Sequence, residues 1–202
     1  MLESRILTVQ FQKLSQKESI KMNISEEKSR LRKEIKQKRL KMTESDVQVK
    51  SNIICNKIIN SQFYKESKCI YCYMAIQNEV DLSLVIRDAL LADKTVAVPK
   101  VVNKNGQMYF AAINKNDKFE NGLYNIPEPS NTEIAPSADL ILVPGVVFST
   151  KGERIGQAGG FYDRYLRNSS CHSIGVAYDF QVFDEIPTEL HDVPVNEIIS
   201  NN

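Results

Sequence analysis

The chain has 202 residues, of which 42% are hydrophobic and 25% charged, and its formal net charge at pH 7 is +1. This length suits one domain with a core large enough to fold without disulfides or a structural metal. A charge so near zero excludes a whole-protein field that would attract nucleic acid or an anionic membrane, so anions must be bound by local charge. No apolar run approaches the ~20 residues that span a bilayer, and residues 1–22 do not resemble a secretion signal. We therefore expect a cytoplasmic protein that binds neither membrane nor nucleic acid.

The N-terminal part of the chain predicts two helices. Residues 1–22 are polar and weakly patterned, and we treat them as an N-terminal extension of uncertain order, so the predicted catalytic domain covers 23–202. A basic helix follows and ends near Lys41. Thr43 opens a second helix in an approximate capping-box pattern, which ends near Asn60. Four basic residues share one face of the first helix: Lys28, Arg32, Lys36 and Arg39.

The rest of the chain alternates apolar runs with helical patterns. The clearest amphipathic helix spans Leu82–Leu90, a shorter one runs from about Gly160 to Arg167, and the turn-rich stretch Asn121–Pro136 predicts a loop. The predicted strands are Cys69–Ile76, Thr95–Val102, Gln107–Ile113, Asp139–Val143, Ser173–Tyr178 and Val195–Ser200. Continuous apolar strands between helices indicate an α/β domain of layered type with a mainly parallel sheet.

Cys69 and Cys72 form a CxxC pair, a spacing that elsewhere binds zinc or acts in redox chemistry. No second CxxC follows, and the other cysteines and the two histidines lie at no usual ligand spacing. The pair falls in a predicted strand, where residues three apart point to opposite faces. We therefore predict two buried strand cysteines, kept reduced in the cytoplasm.

The chemistry is predicted to lie in a glycine-rich segment. Five of the eight glycines fall between Gly145 and Gly160, after a buried strand and before a helix. Glycine lets a phosphate approach the backbone, and a helix N-terminus presents unpaired N–H groups to it. Arg154 can add a bidentate donor, and Asp163 can hold Mg²⁺. The pattern is neither a Walker A loop nor a Rossmann fingerprint, so a tight connection without a ligand remains the alternative.

The basic helix also allows more than one interpretation. Its charged face can be merely solvated, or it can bind nucleic acid, although no aromatic residues are interleaved with the charges. The more specific hypothesis is that Lys28 and Arg32 contact bound phosphates.

Several segments together resemble the 5-formyltetrahydrofolate cyclo-ligases, also called methenyltetrahydrofolate synthetases. They occur in the family's order over most of residues 25–200, and residues 1–22 have no counterpart. The segments are Lys28-x-x-Leu31-Arg32, Gln77-Asn78-Glu79-Val80, Asn125-Ile126-Pro127-Glu128-Pro129, Pro144-Gly145, Arg154-Ile155-Gly156, Gly159-Gly160-Phe161-Tyr162-Asp163-Arg164 and His191-Asp192-Val193-Pro194-Val195.

This resemblance implies a three-layer α/β/α fold similar to the ribose-phosphate isomerase and coenzyme A transferase type. It also implies a reaction in which ATP and 5-formyltetrahydrofolate give 5,10-methenyltetrahydrofolate, ADP and phosphate, with Mg²⁺ required. ATP would phosphorylate the formyl oxygen, and N10 of the folate would then attack the activated carbon. The family default is a monomer.

The resemblance assigns roles position by position. The implied catalytic residues are Lys28, Arg32, Arg154 and Tyr162. The implied ATP-binding residues are Lys28, Arg32, Arg154, Ile155, Gly156, Gln157, Ala158, Gly159, Gly160, Phe161 and Tyr162. The implied folate-binding residues are Met74, Glu79, Gln157, Ala158, Gly159, Gly160 and Phe161. Asp163 and Asp192 would serve Mg²⁺, directly or through water.

Three positions depart from the family pattern. Ala158 stands where a glycine is expected, Gln157 where an aromatic or basic residue is common, and Phe161 where a tyrosine is common. None of these changes deletes a charge, so we expect activity to survive. We also expect Arg32→Ala and Asp163→Ala to cut turnover while leaving the fold intact.

Two other functions are weighed against the ligase. A sugar-phosphate isomerase would need a general base beside the phosphate loop and no ATP. A nucleic-acid-binding module would show affinity that falls steeply with salt. The pair Lys28 and Arg32 together with Asp163 favours a triphosphate with its metal.

Overall fold

The computed structural model describes residues 23–103 and 105–202, and the predictions made for residues 1–22 lie outside this range. Helix α1 covers residues 23–40 of the described chain. The other helices are α2 (Glu44–Asn60), α3 (Gln62–Glu66), α4 (Ser83–Leu91) and α5 (Phe161–Leu166). Thr43 caps α2 with the predicted capping box, since its side chain accepts from the Asp46 N–H and the Asp46 carboxylate accepts from the Thr43 N–H.

A six-stranded sheet forms the centre of the domain, in the order β11-β9-β6-β1-β2-β3. All neighbouring strands are parallel except β2 and β3, which are antiparallel. Its strands are β1 (Cys69–Tyr71), β2 (Thr95–Val101), β3 (Met108–Ile113), β6 (Leu140–Pro144), β9 (His172–Val176) and β11 (Glu197–Ile199). The mainly parallel sheet that the sequence predicts is confirmed.

Alternate residues of each strand pack into two different cores. On one face, Ile70 and Leu140 join Ile54 of α2 and Val85 of α4. On the other face, core residues of the same strands pack with Leu166 of α5 and with Phe148. Because successive strand side chains point to opposite faces, this partition produces the predicted three layers, helix, sheet and helix.

A second, smaller sheet lies on the α5 side and has the order β10-β7-β8. Its strands are β7 (Val147–Ser149), β8 (Arg154–Ile155) and β10 (Val182–Phe183). Leu31 and Ile35 of α1 pack on Val147 and Ile155 of this sheet in a third apolar cluster. The small sheet therefore carries α1, and with it the basic face, next to the glycine-rich segment.

The first predicted strand is shorter than expected. Strand β1 ends at Tyr71, and 72–76 continue without regular pairing into a turn in which Gln77 and Asn78 have φ of 49° and 58°. The predicted loop Asn121–Pro136 holds only short elements: β4 (Phe119–Asn121) pairs with β5 (Pro127–Pro129), and a 3-10 turn at Leu123–Asn125 lies between them. Among the described residues, no helix is both long and apolar enough to cross a membrane.

Both cysteines of the CxxC pair are buried, as predicted. Cys69 is 5% exposed and Cys72 is fully buried, and they belong to the cores on opposite faces of the sheet. Burial raises the pKa of Cys69 to about 11, and it raises the pKa of Cys72 as well. Both groups are thus thiols at neutral pH, which disfavours metal binding and redox chemistry.

Candidate active site

The segments that carry Glu79 and the stretch Arg154–Asp163 leave the central sheet at the carboxyl ends of β1 and β6. The turn Gln77–Asn78 follows β1, Gly145 follows β6, and Tyr178 follows β9. Gln181 joins these loops, because its amide nitrogen donates to the carbonyls of Gly145 and Val146 at 3.0 and 2.9 Å. This edge of an open α/β sheet is where ligands usually bind.

The backbone of the glycine-rich segment is shaped by close neighbours. A Cβ on Gly156 would lie 2.5 Å from Nη1 of Arg154, and a Cβ on Gly159 would lie 2.6 Å from the Phe161 ring. Gly160, with φ of 63°, immediately precedes α5. Ala158 adopts φ of 77°, a left-handed conformation that costs a residue with a Cβ about 1–2 kcal/mol. The departure at Ala158 thus leaves a glycine-like backbone that carries a methyl group.

Arg154 and Asp163 form a buried ion pair across this segment. Nη2 of Arg154 donates to Oδ1 of Asp163 at 2.9 Å, and their side chains are 3% and 17% exposed. The same Oδ1 accepts from the Val193 N–H at 3.2 Å. Asp163 therefore joins the start of α5 to the C-terminal segment that contains Asp192.

Lys28 of α1 reaches the same C-terminal segment. Its Nζ lies 2.9 Å from Oε2 of Glu189 and 2.5 Å from Oδ2 of Asp192, and the lysine is 3% exposed. Asp192 also accepts from the Glu189 N–H at 2.7 Å. One ligand atom from each of Glu189, His191 and Asp192 lies within 4.8 Å of the others. Two of the predicted ligand groups, Lys28 and Asp192, are thus in direct contact.

Arg32, one turn further along α1, touches the glycine-rich segment itself. Its Nε donates to the carbonyl of Gly156 at 2.8 Å. Burial lowers the pKa of Arg32, while the nearby carboxylates of Asp192 and Glu189 oppose that shift. The guanidinium still carries its charge at neutral pH, so the segment has a cation from α1 on one side and Arg154 on the other.

Glu79 lies on the far side of the segment and is 8% exposed. Its Oε1 accepts from Nε2 of Gln157 at 3.3 Å and from Nη1 of Arg39 at 3.4 Å, and its Oε2 accepts from the Ile76 N–H at 3.2 Å. Burial raises the pKa of Glu79, and the Arg39 guanidinium is the largest of the effects that oppose it. The structure therefore connects Glu79 to the loop residue Gln157, so two of the predicted folate-binding residues are in contact.

The remaining predicted residues differ in how closely they join this group. Tyr162 is stacked by Arg154, whose Cζ lies 5.8 Å from the ring centroid, and its hydroxyl is buried without a hydrogen-bond partner among the described residues. Burial also raises the pKa of Tyr162, so the hydroxyl keeps its proton. Ile155 packs under α1, and Phe161 contacts Tyr124 edge-on at 6.0 Å. Met74 packs against the core on the α2 side of the sheet, and no described contact joins it to the loop.

Two residues of this network were not singled out as site residues from the sequence. Glu189 pairs with Lys28, and no motif pointed to it. Arg39 belongs to the predicted basic face of α1, and its spacing from Arg32 is the one sequence feature that points to it. Only the structure shows that this face ends against Glu79.

The glycine-rich segment lies at the carboxyl edge of a parallel sheet, Arg32 donates to it, and Lys28 lies one turn before Arg32 on α1. This is the arrangement of an α/β enzyme for an anionic substrate. Comparison with known proteins identifies which enzymes these are. Residues 24–201 match the model of the 5-formyltetrahydrofolate cyclo-ligase family. The chain belongs to this family.

Individual relatives agree with the family match. The chain is 32% identical over 193 residues to a probable 5-formyltetrahydrofolate cyclo-ligase of Caenorhabditis elegans, covering 87% of this chain and 93% of the relative. It is 25% identical over 193 residues to the cyclo-ligase of Mus musculus, covering 88% and 95%. A solved 5,10-methenyltetrahydrofolate synthetase of Aquifex aeolicus superposes with a TM-score of 0.77 at 31% identity, covering 86% of this chain and 89% of that one.

The synthetase of Mycoplasma pneumoniae superposes with a TM-score of 0.68 at 25% identity, covering 87% of this chain and 99% of that one. The resemblance and the α/β fold predicted from the sequence are therefore confirmed. The chain is an enzyme of one-carbon folate metabolism, and its family carries out the ATP-dependent cyclisation of 5-formyltetrahydrofolate to 5,10-methenyltetrahydrofolate.

Proposed function

We propose that residues 23–202 form one catalytic domain that performs this cyclisation between α1 and the segment Arg154–Asp163. The observation that carries the proposal is the continuous contact from Arg32 through Gly156 and Gln157 to Glu79. It places a cationic, glycine-rich surface beside a buried carboxylate. These are the two recognition chemistries that a nucleoside triphosphate and a pterin need.

The triphosphate is proposed to lie against the cations. Arg32 donates to the Gly156 carbonyl, the Arg154 guanidinium lies 2.5 Å from where a Cβ on Gly156 would be, and Lys28 is one turn before Arg32 on α1. Arginine adds bidentate geometry and lysine a point charge. Arg32 already rests on the Gly156 carbonyl, so it is held at the loop before any substrate binds.

Mg²⁺ is proposed to be served by Asp163 and Asp192. Carboxylate oxygens are the ligands this ion prefers, and Glu189 and His191 stand beside Asp192. Both aspartates also neutralise cations in this structure, Asp163 with Arg154 and Asp192 with Lys28. The donor types therefore fit the ion, which would supply further neutralisation of the triphosphate charge when bound.

The folate is proposed to bind on the Glu79 side. The Glu79 carboxylate can accept hydrogen bonds from the pterin N–H groups, and its contact with Gln157 positions it beside the loop. Backbone groups from Gln157 to Phe161 would border the folate. Met74, which packs against the core on the α2 side of the sheet, would offer an apolar contact to the folate.

The chemistry proceeds in two displacements. The formyl oxygen attacks the γ-phosphorus, and the bond from that phosphorus to ADP breaks. N10 then attacks the activated formyl carbon, the carbon–oxygen bond to phosphate breaks, and N10 loses its proton. The chain's part is to align donor and acceptor and to neutralise charge on the transferring phosphoryl group with Lys28, Arg32 and Arg154. Tyr162, whose ring lies against Arg154 and whose hydroxyl is buried, is proposed to donate a hydrogen bond within this site.

We further propose that the enzyme is a cytoplasmic monomer that acts on these small molecules and on neither nucleic acid nor membrane. Its formal net charge of +1 supports the last two points, because long-range attraction of a whole protein to a polyanion needs a net positive charge, and two of the four residues on the basic face of α1, Lys28 and Arg39, are buried.

The test follows the near-ultraviolet absorbance of methenyltetrahydrofolate after mixing protein, 5-formyltetrahydrofolate and magnesium-ATP. We expect an ATP-dependent rise, and a higher KM for ATP in Arg32→Ala but for folate in Glu79→Gln. The matched control is Lys38→Met, which removes an exposed cation from the same helix. Folded protein that binds magnesium-ATP but shows no absorbance change would refute the proposed reaction.

A further inference from the structure

Arg39 ends the basic face of α1 in a fully enclosed position. The residue is 1% exposed, although arginine is almost never buried without a specific partner. Its Nε donates to the Gln77 carbonyl at 2.9 Å, and its Nη1 donates to Oε1 of Glu79 at 3.4 Å. One guanidinium thus holds both the backbone and the carboxylate of the segment that follows β1.

The segment after β1 also donates hydrogen bonds back to the end of α1. Nδ2 of Asn78 donates to the carbonyls of Arg39 and Met42 at 3.1 and 3.2 Å, which satisfies acceptors at the end of α1. Gln77 and Asn78 have φ of 49° and 58°, and two successive left-handed residues with side chains need support from their surroundings. The reciprocal contacts supply that support.

Burial raises the pKa of the Glu79 carboxyl, and among the groups that oppose this rise Arg39 has the largest effect. Arg39 and Lys36 of α1, Tyr73 after β1, Tyr162 of α5 and Tyr178 after β9 are the titratable groups around it. Burial raises the pKa values of the three tyrosines, so they stay neutral at neutral pH. Of the two cations, only Arg39 touches the carboxylate.

We propose that Arg39 is a positioning residue for the folate: it fixes the Glu79 carboxylate and the Gln77–Asn78 turn in the geometry that receives the pterin. The inference rests on the proposed role of Glu79 as the folate partner. Arg39 itself contacts no substrate, because it is enclosed on all sides. Its effect passes entirely through Glu79 and the turn.

The experiment compares Arg39→Met, Arg39→Lys and Glu79→Gln with the wild-type enzyme and with Lys38→Met. Arg39 holds down the pKa of Glu79, so its removal should raise that pKa. Protonation of Glu79 should weaken folate binding, so the pH below which binding weakens should rise by about 1–3 units. At neutral pH, KM for folate should rise by roughly tenfold or more, the loss expected for a charged hydrogen bond. KM for ATP should stay within about twofold, because Lys28 and Arg32 are unchanged. Arg39→Lys keeps the charge and should restore most of the pH profile.

The double variant Arg39→Met/Glu79→Gln separates the possible failures. If Arg39 acts through the charge of Glu79, adding Arg39→Met to the Glu79→Gln variant should raise KM for folate little further. The effects of the two substitutions on KM for folate should then be strongly non-additive. Additive effects, or equal rises in KM for ATP and folate, would overturn the positioning role. An unchanged folate KM in Glu79→Gln would instead refute the proposed folate site itself. Far-ultraviolet circular dichroism and ATP binding show that each variant is folded.

Discussion

The contacts of Asp163 allow its structural role and its proposed catalytic role to be separated by two substitutions. Asp163→Ala removes both acceptor and charge and leaves Arg154, 3% exposed in its side chain, without its partner. Breaking a buried pair from one side costs about 3–5 kcal/mol, and the partial exposure of Asp163 favours the lower end. At about 2–4 °C per kcal/mol for a chain of this size, the melting temperature should fall by roughly 6–12 °C. The structure thus predicts a loss of stability that the sequence did not.

Asp163→Asn keeps an oxygen that can accept from Arg154 and from the Val193 N–H, but it removes the charge. Replacing a charge-assisted hydrogen bond by a neutral one costs about 1–2 kcal/mol, or roughly 2–8 °C in melting temperature. If Asp163 also serves Mg²⁺ in the phosphoryl transfer, both variants should lose about 10²–10³ in kcat, a typical cost for one electrostatic group.

Thermal unfolding measures the loss of stability, and initial rates over a magnesium titration measure the loss of kcat. Glu185→Gln is the matched control, because it removes a carboxylate from an exposed ion pair. The side chains of Lys151 and Glu185 in this pair are 63% and 79% exposed. Its melting temperature and rate should equal those of the wild type, since exposed pairs contribute little. Near-normal kcat and an unaltered magnesium dependence in folded Asp163→Asn would show that Asp163 is only structural.

Three further predictions concern the loop and α1. Ala158→Gly removes the left-handed strain but adds flexibility to the unfolded chain, so melting temperature should change little and activity persist; a tenfold fall in kcat would show that the methyl group contributes. Gly156→Ala places a Cβ 2.5 Å from the Arg154 guanidinium and should lower kcat, measured at saturating substrates. Wild-type turnover would show that Arg154 can move freely. Lys28→Met leaves Glu189 and Asp192 without their shared cation, so it should lower the melting temperature without ligands and weaken ATP binding. Unchanged calorimetric ATP affinity would remove Lys28 from the site.

Local chemistry made much of the fold predictable. The Thr43–Asp46 capping box fixes the start of α2, and uninterrupted apolar runs such as Leu140–Val143 are typical of strands covered on both faces. The small sheet was missed, because strands such as Arg154–Ile155 have only two residues and show no periodicity. The early end of β1 was also missed, since Tyr73 to Ile76 are as apolar as a strand but lead into the turn at Gln77.

For the site, residue types and order were predictable but partners were not. Arg154 and Asp163 are nine positions apart, and both were expected near phosphate and metal; their mutual pairing follows from the position of α5. Lys28 and Asp192 are separated by 164 positions, and no local pattern reports such a contact. The contact of Arg39 could not be predicted either, because it depends on where α1 ends relative to a turn that is 38 residues away.

Helix α1 spans the whole site as one rigid element, from Lys28 on the C-terminal segment to Arg39 on the turn after β1. At a rise of about 1.5 Å per residue, these anchors are roughly 16 Å apart along its axis. Under the proposed assignment of the ATP and folate sites, this helix sets the spacing between the phosphoryl donor and its acceptor. A single inserted residue between Arg32 and Arg39 would rotate one anchor by about 100° relative to the other. The length of this helix should consequently be far less free to vary in evolution than its exposed side chains.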